Sequence, residues 1–222
     1  MTKSVILLSG GLDSLVSLGL KKEELNIVLA LTFDYGQKSV QKEIAASKKI
    51  CEYYNIKHEV IKLDFLKNIT RTALVSDSSI PSGKELDNPA ESAKVVWVPN
   101  RNGLFLNIAG CYADSHGYDY VIIGANKEEA QTFPDNTAEF INAVNEEFEY
   151  STLKKPMVVA PLINCNKTDI VMLALKNNIP LELTMSCYQG GDKNCGICES
   201  CTRLKNALQE NHCDKYIRLL FG

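Results

Sequence analysis

A glycine-rich turn between an apolar run and a helical segment is the feature that most constrains this chain. Residues 5–8 are Val-Ile-Leu-Leu, residues 9–14 are Ser-Gly-Gly-Leu-Asp-Ser, and residues 15–20 have the apolar content of a helix. Adjacent glycines let the backbone approach an anion closely, and the first N–H groups of a helix lack partners within it. The order of apolar run, glycine-rich turn and helix therefore predicts either a phosphate-binding loop or a turn in which Ser and Asp cap the helix.

The polar residues of this turn suit a nucleotide. Ser9 and Ser14 offer hydroxyl donors to phosphate oxygens, and Asp13 suits either a bound Mg²⁺ or a helix cap. No Gly-Lys-Ser/Thr follows, so the Walker pattern is excluded. The pattern Ser-Gly-Gly-x-Asp-Ser after a first strand resembles the pyrophosphate loop of the ATP pyrophosphatase superfamily, which implies cleavage of ATP between its α- and β-phosphates. The nucleotide contacts that this resemblance implies are Leu8, Ser9, Gly10, Gly11, Leu12, Asp13, Ser14, Leu15, Val16 and Ser17.

Strands and helices alternate along the chain. Residues 4–8, 26–33, 59–63, 120–123 and 157–162 read as strands, and helical patterns fall at 40–54, 103–116, 137–148 and 170–176. This alternation predicts right-handed crossovers and a doubly wound, mostly parallel, Rossmann-like α/β sheet. We expect one α/β domain over residues 1–182 and a small cysteine-rich segment over 183–222. Residues 76–89, rich in Ser, Pro, Gly and Asp, fit a surface loop or equally a mobile lid.

Polar residues follow the second and fourth strands and precede the helix at 103. The carboxyl ends of the strands in such a sheet share one edge, where ligands bind. Arg101 at the start of a buried helix needs a carboxylate or phosphate nearby, whereas Asn100 and Asn102 can simply cap that helix. We therefore predict substrate contacts from a group of side chains at this edge: Asp34, Tyr35, Gln37, Asn100, Arg101, Asn126 and Asp135.

Four cysteines are spaced for a metal. They follow the pattern C-x7-C-x2-C-x2-C, and they are Cys187, Cys195, Cys198 and Cys201. Four thiolates can surround one tetrahedral ion, which favours structural Zn²⁺. An iron–sulfur cluster stays open as an alternative, because ferredoxins also use C-x2-C-x2-C runs. The remaining cysteines read as small buried residues or incidental thiols: Cys51, Cys111, Cys165 and Cys213.

Composition and charge limit the binding partners and the cellular compartment that the sequence predicts. The formal net charge is -3, and no lysine tract exceeds a pair, so a nucleic-acid-binding role is not expected. No signal peptide and no apolar run of about 20 residues is visible, which excludes a membrane span. Eight cysteines without an export signal favour the cytoplasm, with free or metal-bound thiols.

Motifs along nearly the whole chain carry a more specific resemblance. Phe-Asp-Tyr-Gly-Gln stands at 33–37, Pro-Asn-Arg-Asn at 99–102, Gly-x-Asn at 124–126 and Phe-Pro-Asp at 133–135. Ser-Cys-Tyr follows at 186–188 and Cys-Gly-x-Cys-x-Ser-Cys at 195–201. Together with the phosphate loop, these resemble the 7-cyano-7-deazaguanine synthase family. The family usually has Asp-Tyr-Ser-Gly-Tyr-Pro-Asp-Cys-Arg where residues 129–137 read Glu-Ala-Gln-Thr-Phe-Pro-Asp-Asn-Thr. A Cys-Arg pair is thus replaced and a Tyr hydroxyl is lost at Phe133, so contacts from this loop to a deazapurine would differ.

The resemblance implies a C–N bond-forming ligase of queuosine biosynthesis. ATP, Mg²⁺ and Zn²⁺ are the implied cofactors, 7-carboxy-7-deazaguanine and ammonia the substrates, and Asp13, Ser14 and Arg101 the catalytic residues. A homodimer is also implied. Two other classes stay open from the residues alone. A tRNA-modifying adenylase of the thiolation type shares the phosphate loop, although the net charge of -3 counts against RNA binding. A non-enzymatic zinc-ribbon module is the other, and the intact loop argues against it.

Overall fold

A single parallel sheet organises the molecule. The computed structural model describes residues 2–221, and within them five strands lie in the order β3-β2-β1-β4-β5. The strands are β1 Ser4–Leu7, β2 Ile27–Asp34, β3 Lys57–Lys62, β4 Tyr120–Ile122 and β5 Met157–Val159. Every pairing is parallel. The predicted doubly wound α/β class is confirmed.

The helices connect and cover these strands on both faces. Their bounds are α1 Leu12–Lys21, α2 Val40–Tyr54, α3 Phe65–Ile69, α4 Pro89–Val96, α5 Arg101–His116, α6 Lys127–Ala130, α7 Ala138–Ser151, α8 Lys167–Lys176, α9 Glu199–Glu210 and α10 Asp214–Leu220. Among the described residues, none of these helices is both long and apolar enough to pass through a membrane.

Alternation along β1 divides the core into two layers. Ile6 and Leu8 face a cluster that includes side chains of α1, α2, α8 and α9. Val5 and Leu7 face the other cluster, which is filled from α5 and α7. Successive side chains of a strand point to opposite faces, so a central strand covered by helices on both faces must be apolar throughout. All four residues of β1 are buried; three of them are apolar, and the hydroxyl of Ser4 donates to the Leu25 carbonyl.

The structure corrects several predicted element bounds. Helix α1 begins at Leu12 rather than at residue 15, and α5 begins at Arg101 rather than at 103. Strand β3 starts two residues earlier than predicted, because Lys57 already pairs with Leu29. Strand β5 ends at Val159 rather than at 162, since the proline at 161 has no N–H to donate. Helix α8 begins at Lys167, three residues before the helical pattern at 170–176, after a capping box between Asn166 and Asp169.

The segment 64–98 contains more helix than its composition indicates. It forms α3, a 3₁₀ turn Gly83–Asp87 and α4. Within it, residues 77–79 are exposed while Ile80 is buried, and Ser82 forms an isolated bridge with Cys198. The part predicted as a surface loop is therefore anchored at the surface by a few contacts. Its alternative role as a lid stays a prediction.

The cysteine-rich segment shares the core of the α/β domain. Cys187, Cys198 and Leu204 belong to the same buried cluster as Ile6 and Leu8. The division of the chain at residue 182 therefore stays an interpretation of the sequence. Because the core is shared, packing fixes the positions of this segment relative to the central strand.

Candidate active site

A cavity of about 210 Å³ lies at the carboxyl ends of β1, β2 and β4. Two groups of side chains define it. We call the phosphate loop (residues 9–14) with Leu8 the loop wall. The acceptor wall faces it and comprises Tyr35, Arg101, Asn102, Phe105 and Asn136. Four segments far apart in the sequence (residues 8–14, Tyr35, residues 101–105 and Asn136) therefore meet at the edge of the sheet where the polar motifs were expected.

The loop wall depends on two close backbone approaches. Gly10 has a φ of +76°, and a Cβ there would lie 2.7 Å from the Cβ of Ala46. At Gly124, a Cβ would lie 2.8 Å from the Ser14 nitrogen. Both distances are too short for any side chain, so α2 and the end of β4 pack directly against the loop backbone.

Serine hydroxyls hold the phosphate loop in shape. Ser14 Oγ donates to the Gly11 carbonyl at 3.1 Å and accepts from the Ser9 N–H at 3.3 Å. Ser9 Oγ accepts from the Gly11 N–H at 3.3 Å. The N-cap of α1 is Gly11, and no side chain caps it. The interpretation of Asp13 as a helix cap is therefore wrong.

The predicted nucleotide residues divide by position. Those that line the cavity are Leu8, Ser9, Gly11, Leu12, Asp13 and Ser14. Gly10, Leu15, Val16 and Ser17 are not among the lining residues, and the last three are buried in α1. Only the loop and the first turn of α1 therefore face the ligand space.

Asp13 has a partner that sequence reasoning missed. Lys167 Nζ lies 2.5 Å from Asp13 Oδ2 and 2.7 Å from Glu129 Oε1. Lys167 is only 5% exposed, so the charge is removed from water and compensated by the two carboxylates. One signal was present in the sequence: Lys167 is the first residue of α8, where the helix dipole disfavours a cation.

Burial and charge set the protonation of this group. Burial raises the pKa of Asp13 to about 6, against the lowering effect of Lys167. Burial acts in the same sense on Glu129, but Lys167 outweighs it and the pKa of Glu129 lies below its ordinary value. The pKa of Lys167 is raised, since the attraction of both carboxylates exceeds the effect of burial. Lys167 is thus a fixed cation, and Asp13 is the carboxylate that protonates first.

Asp13 also fits a hard cation. Its Oδ1 is buried and has no hydrogen-bond partner within the described part of the chain, while Oδ2 contacts Lys167. Mg²⁺ in nucleotide sites takes one or two carboxylates, substrate phosphates and several waters. Asp13 lines the cavity, and its unpartnered carboxylate oxygen suits that donor set.

The acceptor wall centres on Arg101. Its Nη1 donates to the Tyr35 hydroxyl at 3.2 Å, and its guanidinium lies 5.9 Å from the centre of the Tyr35 ring. Burial would lower the pKa of Arg101, but the electrostatic effects of Tyr35, Tyr188 and Asp135 raise it. Arg101 therefore stays charged inside the cavity. Beside it, Phe105 stacks on Phe33 with ring centres 4.0 Å apart.

The other predicted substrate residues support the loops instead of lining the cavity. Asp34 Oδ1 accepts the Gly36 N–H at 3.1 Å. Gln37 is buried and its Oε1 accepts the Tyr35 N–H at 3.0 Å. Asn100 is exposed and has a φ of 52°, the left-handed conformation that asparagine tolerates.

Asn126 and Asp135 act in the same way on the other side. Asn126 Oδ1 caps α6 by accepting from the Glu128 and Glu129 N–H groups, which orients the carboxylate that holds Lys167. The Asp135 carbonyl accepts from Asn102 Nδ2 at 3.2 Å, and its carboxylate accepts from Asn136. Of the predicted substrate contacts, only Tyr35 and Arg101 line the cavity.

The loop at 129–137, where the chain departs from the family pattern, touches the cavity at two positions. Glu129 and Asn136 line it. Phe133 stacks on Trp97 with ring centres 5.9 Å apart, outside the cavity, and Thr137 caps α7. Asn136 and Glu129, which stands where the family has Asp, are therefore the two departures from the family pattern that lie in the cavity wall.

Sequence reasoning also missed a half-buried carboxylate and three residues of the cysteine-rich segment. Glu43, Ser186, Tyr188 and Ser200 line the cavity. Glu43 accepts from Ser39 and Gln37, and burial raises its pKa. Glu43 comes from helix α2, where no motif identifies it. Ser186, Tyr188 and Ser200 belong to the cysteine-containing motifs that carry the family resemblance, but they were not predicted to line the cavity.

The four predicted metal ligands converge. Their sulfur atoms all lie within 4.8 Å of one another. Cys195 Sγ and Cys201 Sγ are 3.8 Å apart, which matches the edge of about 3.8 Å that a tetrahedron with Zn–S bonds of about 2.3 Å requires. The geometry therefore fits one zinc ion. A cluster of several iron atoms needs wider separation of its thiolates, so this spacing favours zinc over iron and sulfur.

Comparison with known proteins places these features in a family. The doubly wound sheet with the Ser-Gly-Gly-x-Asp-Ser loop at its carboxyl edge is the fold of the pyrophosphate-loop (PP-loop) class. Within that class, the chain belongs to the queuosine biosynthesis protein QueC family, whose model matches residues 3–212.

Close relatives carry one name. The 7-cyano-7-deazaguanine synthase of Carboxydothermus hydrogenoformans is 53% identical, over 95% of this chain and 100% of that protein. The Methanosarcina mazei protein of the same name is 48% identical, over 93% of this chain and 94% of its own. A solved 4-thiouridine synthetase, in complex with RNA and bound ATP, has a TM-score of 0.50 and 17% identity, over 98% of this chain and 52% of that one. The last comparison shows the shared fold alone.

Proposed function

We propose that this enzyme converts 7-carboxy-7-deazaguanine and ammonia to 7-cyano-7-deazaguanine, with ATP cleaved to AMP and pyrophosphate. The observation that carries the proposal is the cavity itself, of about 210 Å³, which is lined by both the phosphate loop and a half-buried, charged Arg101, in a chain of the QueC family. The names of the relatives supply the product.

The reaction needs two activations of one carbon. First, the carboxylate attacks the α-phosphorus of ATP, pyrophosphate leaves, and an acyl adenylate forms. Ammonia then adds to the carbonyl carbon, AMP leaves with the former carboxylate oxygen, and one proton is lost to give the amide. The amide oxygen attacks a second ATP in the same way. Loss of AMP and of the remaining nitrogen protons gives the nitrile. Both oxygens leave as part of AMP, because neither departs from carbon unaided.

The residues of the two walls suit this chemistry. In phosphoryl and adenylyl transfer the protein positions the reactants and stabilises charge. We assign phosphate binding to the loop wall, led by Ser9 and Ser14, and charge stabilisation to Arg101 and Lys167. Asp13 would hold Mg²⁺, which neutralises charge on the phosphate oxygens when bound. The Tyr35 hydroxyl orients the Arg101 guanidinium toward the acceptor.

One reaction mixture tests the proposal. The purified chain, 7-carboxy-7-deazaguanine, ammonium, Mg²⁺ and ATP should yield the nitrile with two AMP and two pyrophosphate per product, as measured by mass spectrometry. The amide should appear transiently and should itself be accepted as substrate. The mixture contains no RNA, so turnover also separates this function from a tRNA-modifying one. ADP and phosphate as products would contradict the proposal, and so would pyrophosphate release without any nitrile.

We also propose a structural zinc ion at the four cysteines. The protein should be colourless, with about one zinc per chain. Cys198→Ser should lose zinc and stability, whereas Cys111→Ser, at an exposed position remote from the cluster, should keep both. Brown protein with iron and sulfide would contradict this assignment.

The oligomeric state is a further proposal from the family resemblance. Two copies of the chain should associate as a homodimer, with a mass near twice 24.6 kDa by light scattering. A monomer at micromolar concentration would contradict it.

A further inference from the structure

The segment 186–188 lies between the cavity and the metal cluster. Ser186 and Tyr188 line the cavity, whereas Cys187 between them is one of the four clustered thiols. Side chains of an extended chain alternate between two directions, so one short run can serve both sites. Residues 186–188 thus contribute to both the cavity and the cysteine cluster.

Two hydrogen bonds join this segment to the phosphate loop. The Leu12 N–H donates to Ser186 Oγ at 3.3 Å, and the Met185 N–H donates to the Gly10 carbonyl at 2.8 Å. Leu12 is the first residue of α1. Its N–H is one of the unpaired groups of a helix start that make such a loop an anion site. The cysteine-rich segment therefore supplies the partner of a loop donor.

The other side of Ser186 is tied to the metal cluster. The Ser186 N–H donates to Asn194 Oδ1 at 2.9 Å, and Asn194 is 1% exposed and directly precedes Cys195. Asn194 Nδ2 in turn donates to the Leu220 carbonyl. Ser186 is thus fixed between Cys187 and the residue before Cys195, and ligation of both thiols to one ion would hold it in place.

A serine hydroxyl can accept one hydrogen bond and donate another. With the Leu12 N–H already donated to it, Ser186 Oγ keeps a proton to donate into the cavity. We propose that Ser186 is a phosphate-positioning residue of the ATP site, held by the metal-bound cysteine segment, so that metal binding and nucleotide binding reinforce each other. This rests on the proposed function in that ATP occupies the cavity. It goes beyond that function by assigning the cysteine site a role in nucleotide affinity.

The first experiment measures binding of Mg²⁺-saturated α,β-methylene-ATP by calorimetry. Ser186→Ala should weaken binding about 10-fold, because a loop N–H loses its partner and the phosphate loses a donor. Zinc content and melting temperature should stay at the wild-type values. Ser186→Thr retains a hydroxyl and should recover most of the affinity. Thr184→Val is the matched control, since its buried hydroxyl has no partner among residues 2–221 and its position does not line the cavity.

The second experiment tests reciprocity. If metal raises nucleotide affinity by some factor, nucleotide must raise metal affinity by the same factor. Competition of the zinc-loaded protein with a chromophoric chelator should show several-fold tighter zinc retention when the Mg²⁺-saturated analogue is saturating. In Ser186→Ala this gain should fall below about twofold.

The outcomes separate the two proposals. Wild-type protein that does not bind the analogue would overturn the proposed function and this inference with it. Wild-type binding together with unchanged affinity in Ser186→Ala, or with zinc retention that does not respond to nucleotide, would overturn the inference and leave the proposed function standing.

Discussion

The two walls of the cavity are built on different principles. The loop wall is a continuous run of sequence whose shape is set locally, by Gly10 at a φ of +76° and by the Ser14 hydroxyl, which donates to the Gly11 carbonyl and accepts from the Ser9 N–H. The acceptor wall is assembled from the ends of separate elements, with Tyr35 after β2, Arg101 at the start of α5 and Asn136 after α6. The geometry of the loop wall is therefore set by its own backbone and side chains, whereas the geometry of the acceptor wall depends on how the separate elements pack.

This difference decides what a polar residue at the edge of the sheet does. In the loop wall, the polar residues Ser9, Asp13 and Ser14 all line the cavity. In the assembled wall, most of the polar residues hold the loops, as Gln37 holds the backbone of Tyr35 and Asn126 caps α6. Substitutions in the two walls should therefore affect the reaction differently.

The largest effect should come from the loop wall. Asp13→Asn removes the charge proposed to hold Mg²⁺ and should lower kcat/KM for ATP about 100-fold or more, without loss of core volume. The matched acceptor-side change, Asp34→Asn, alters a side chain that accepts only from the Gly36 backbone, and should stay within about threefold. Pyrophosphate release measures both. Equal losses of kcat/KM in the two variants would contradict the proposed difference between the loop wall and the acceptor wall.

The next largest effect should come from loss of Lys167, and it should appear in the free energy of unfolding. Lys167→Met leaves Asp13 and Glu129 without their shared cation in a buried site, which commonly costs about 3–5 kcal/mol of stability. The double variant Lys167→Met/Glu129→Gln removes one of the two uncompensated charges and should regain part of that loss. Chemical denaturation of both variants measures it. If the changes in unfolding free energy of the two substitutions simply add in the double variant, the two side chains do not interact.

The sequence predicts the loop wall far better than the acceptor wall. Ser9, Asp13 and Ser14 are identifiable because their motif specifies both residue type and backbone shape. Lys167 cannot be identified from the sequence in this way. It lies 154 residues from Asp13 along the chain, and the packing of α8 on α1 brings the two together.

The fold itself was predictable from apolar periodicity, since β1 and β2 are buried on both faces. Segment 64–98 was not, because its short helices bury few side chains each and leave no clear period. Side chains such as Asp34 and Gln37 look functional in sequence because residues that shape a loop and residues that bind a ligand have the same polar character.

The acceptor wall itself offers an internal contrast. Arg101→Ala removes a charge that lines the cavity, and should reduce kcat/KM for the carboxylate substrate about 10- to 100-fold. Asn100→Gly changes the preceding residue while keeping its positive φ accessible, and should stay within about threefold. Steady-state kinetics with the acid as varied substrate gives both values. A larger loss at Asn100 would mean that the loop, and not the guanidinium, sets the acceptor position.

Protonation of Asp13 should give the loop wall its own pH dependence. Its pKa of about 6 lies above the ordinary value of 3.8, so the carboxylate loses its charge as the pH falls through 6. We expect kcat/KM for Mg²⁺-bound ATP to fall about 10-fold per pH unit below that point. Because the folded state binds this proton more tightly than the unfolded state, Asp13 contributes stability below pH 4 that is lost as the pH rises through 6. Activity and this contribution to stability thus run in opposite directions.

The matched measurement uses Asp34→Asn, which should keep the midpoint near pH 6, and Lys167→Met, which should move it upward because the opposing cation is gone. A wild-type profile that stays flat from pH 7 to pH 5 would show that Asp13 is not the group that binds the metal.

The smallest effects should distinguish two positions where the chain departs from the family pattern. Asn136 lines the cavity and is 6% exposed, so Asn136→Ala should raise KM for the acid about 5- to 10-fold by deleting a polar contact in a confined site. Phe133 stacks on Trp97 outside the cavity. Phe133→Tyr restores the hydroxyl of the family pattern at a half-buried position and should change KM less than about twofold. Because Asn136 and Phe133 lie on one short turn, the pair tests whether wall position or motif membership governs recognition. A strong gain on Phe133→Tyr with no effect at Asn136 would mean that the acceptor extends over Trp97, beyond the wall that Arg101 and Asn136 form.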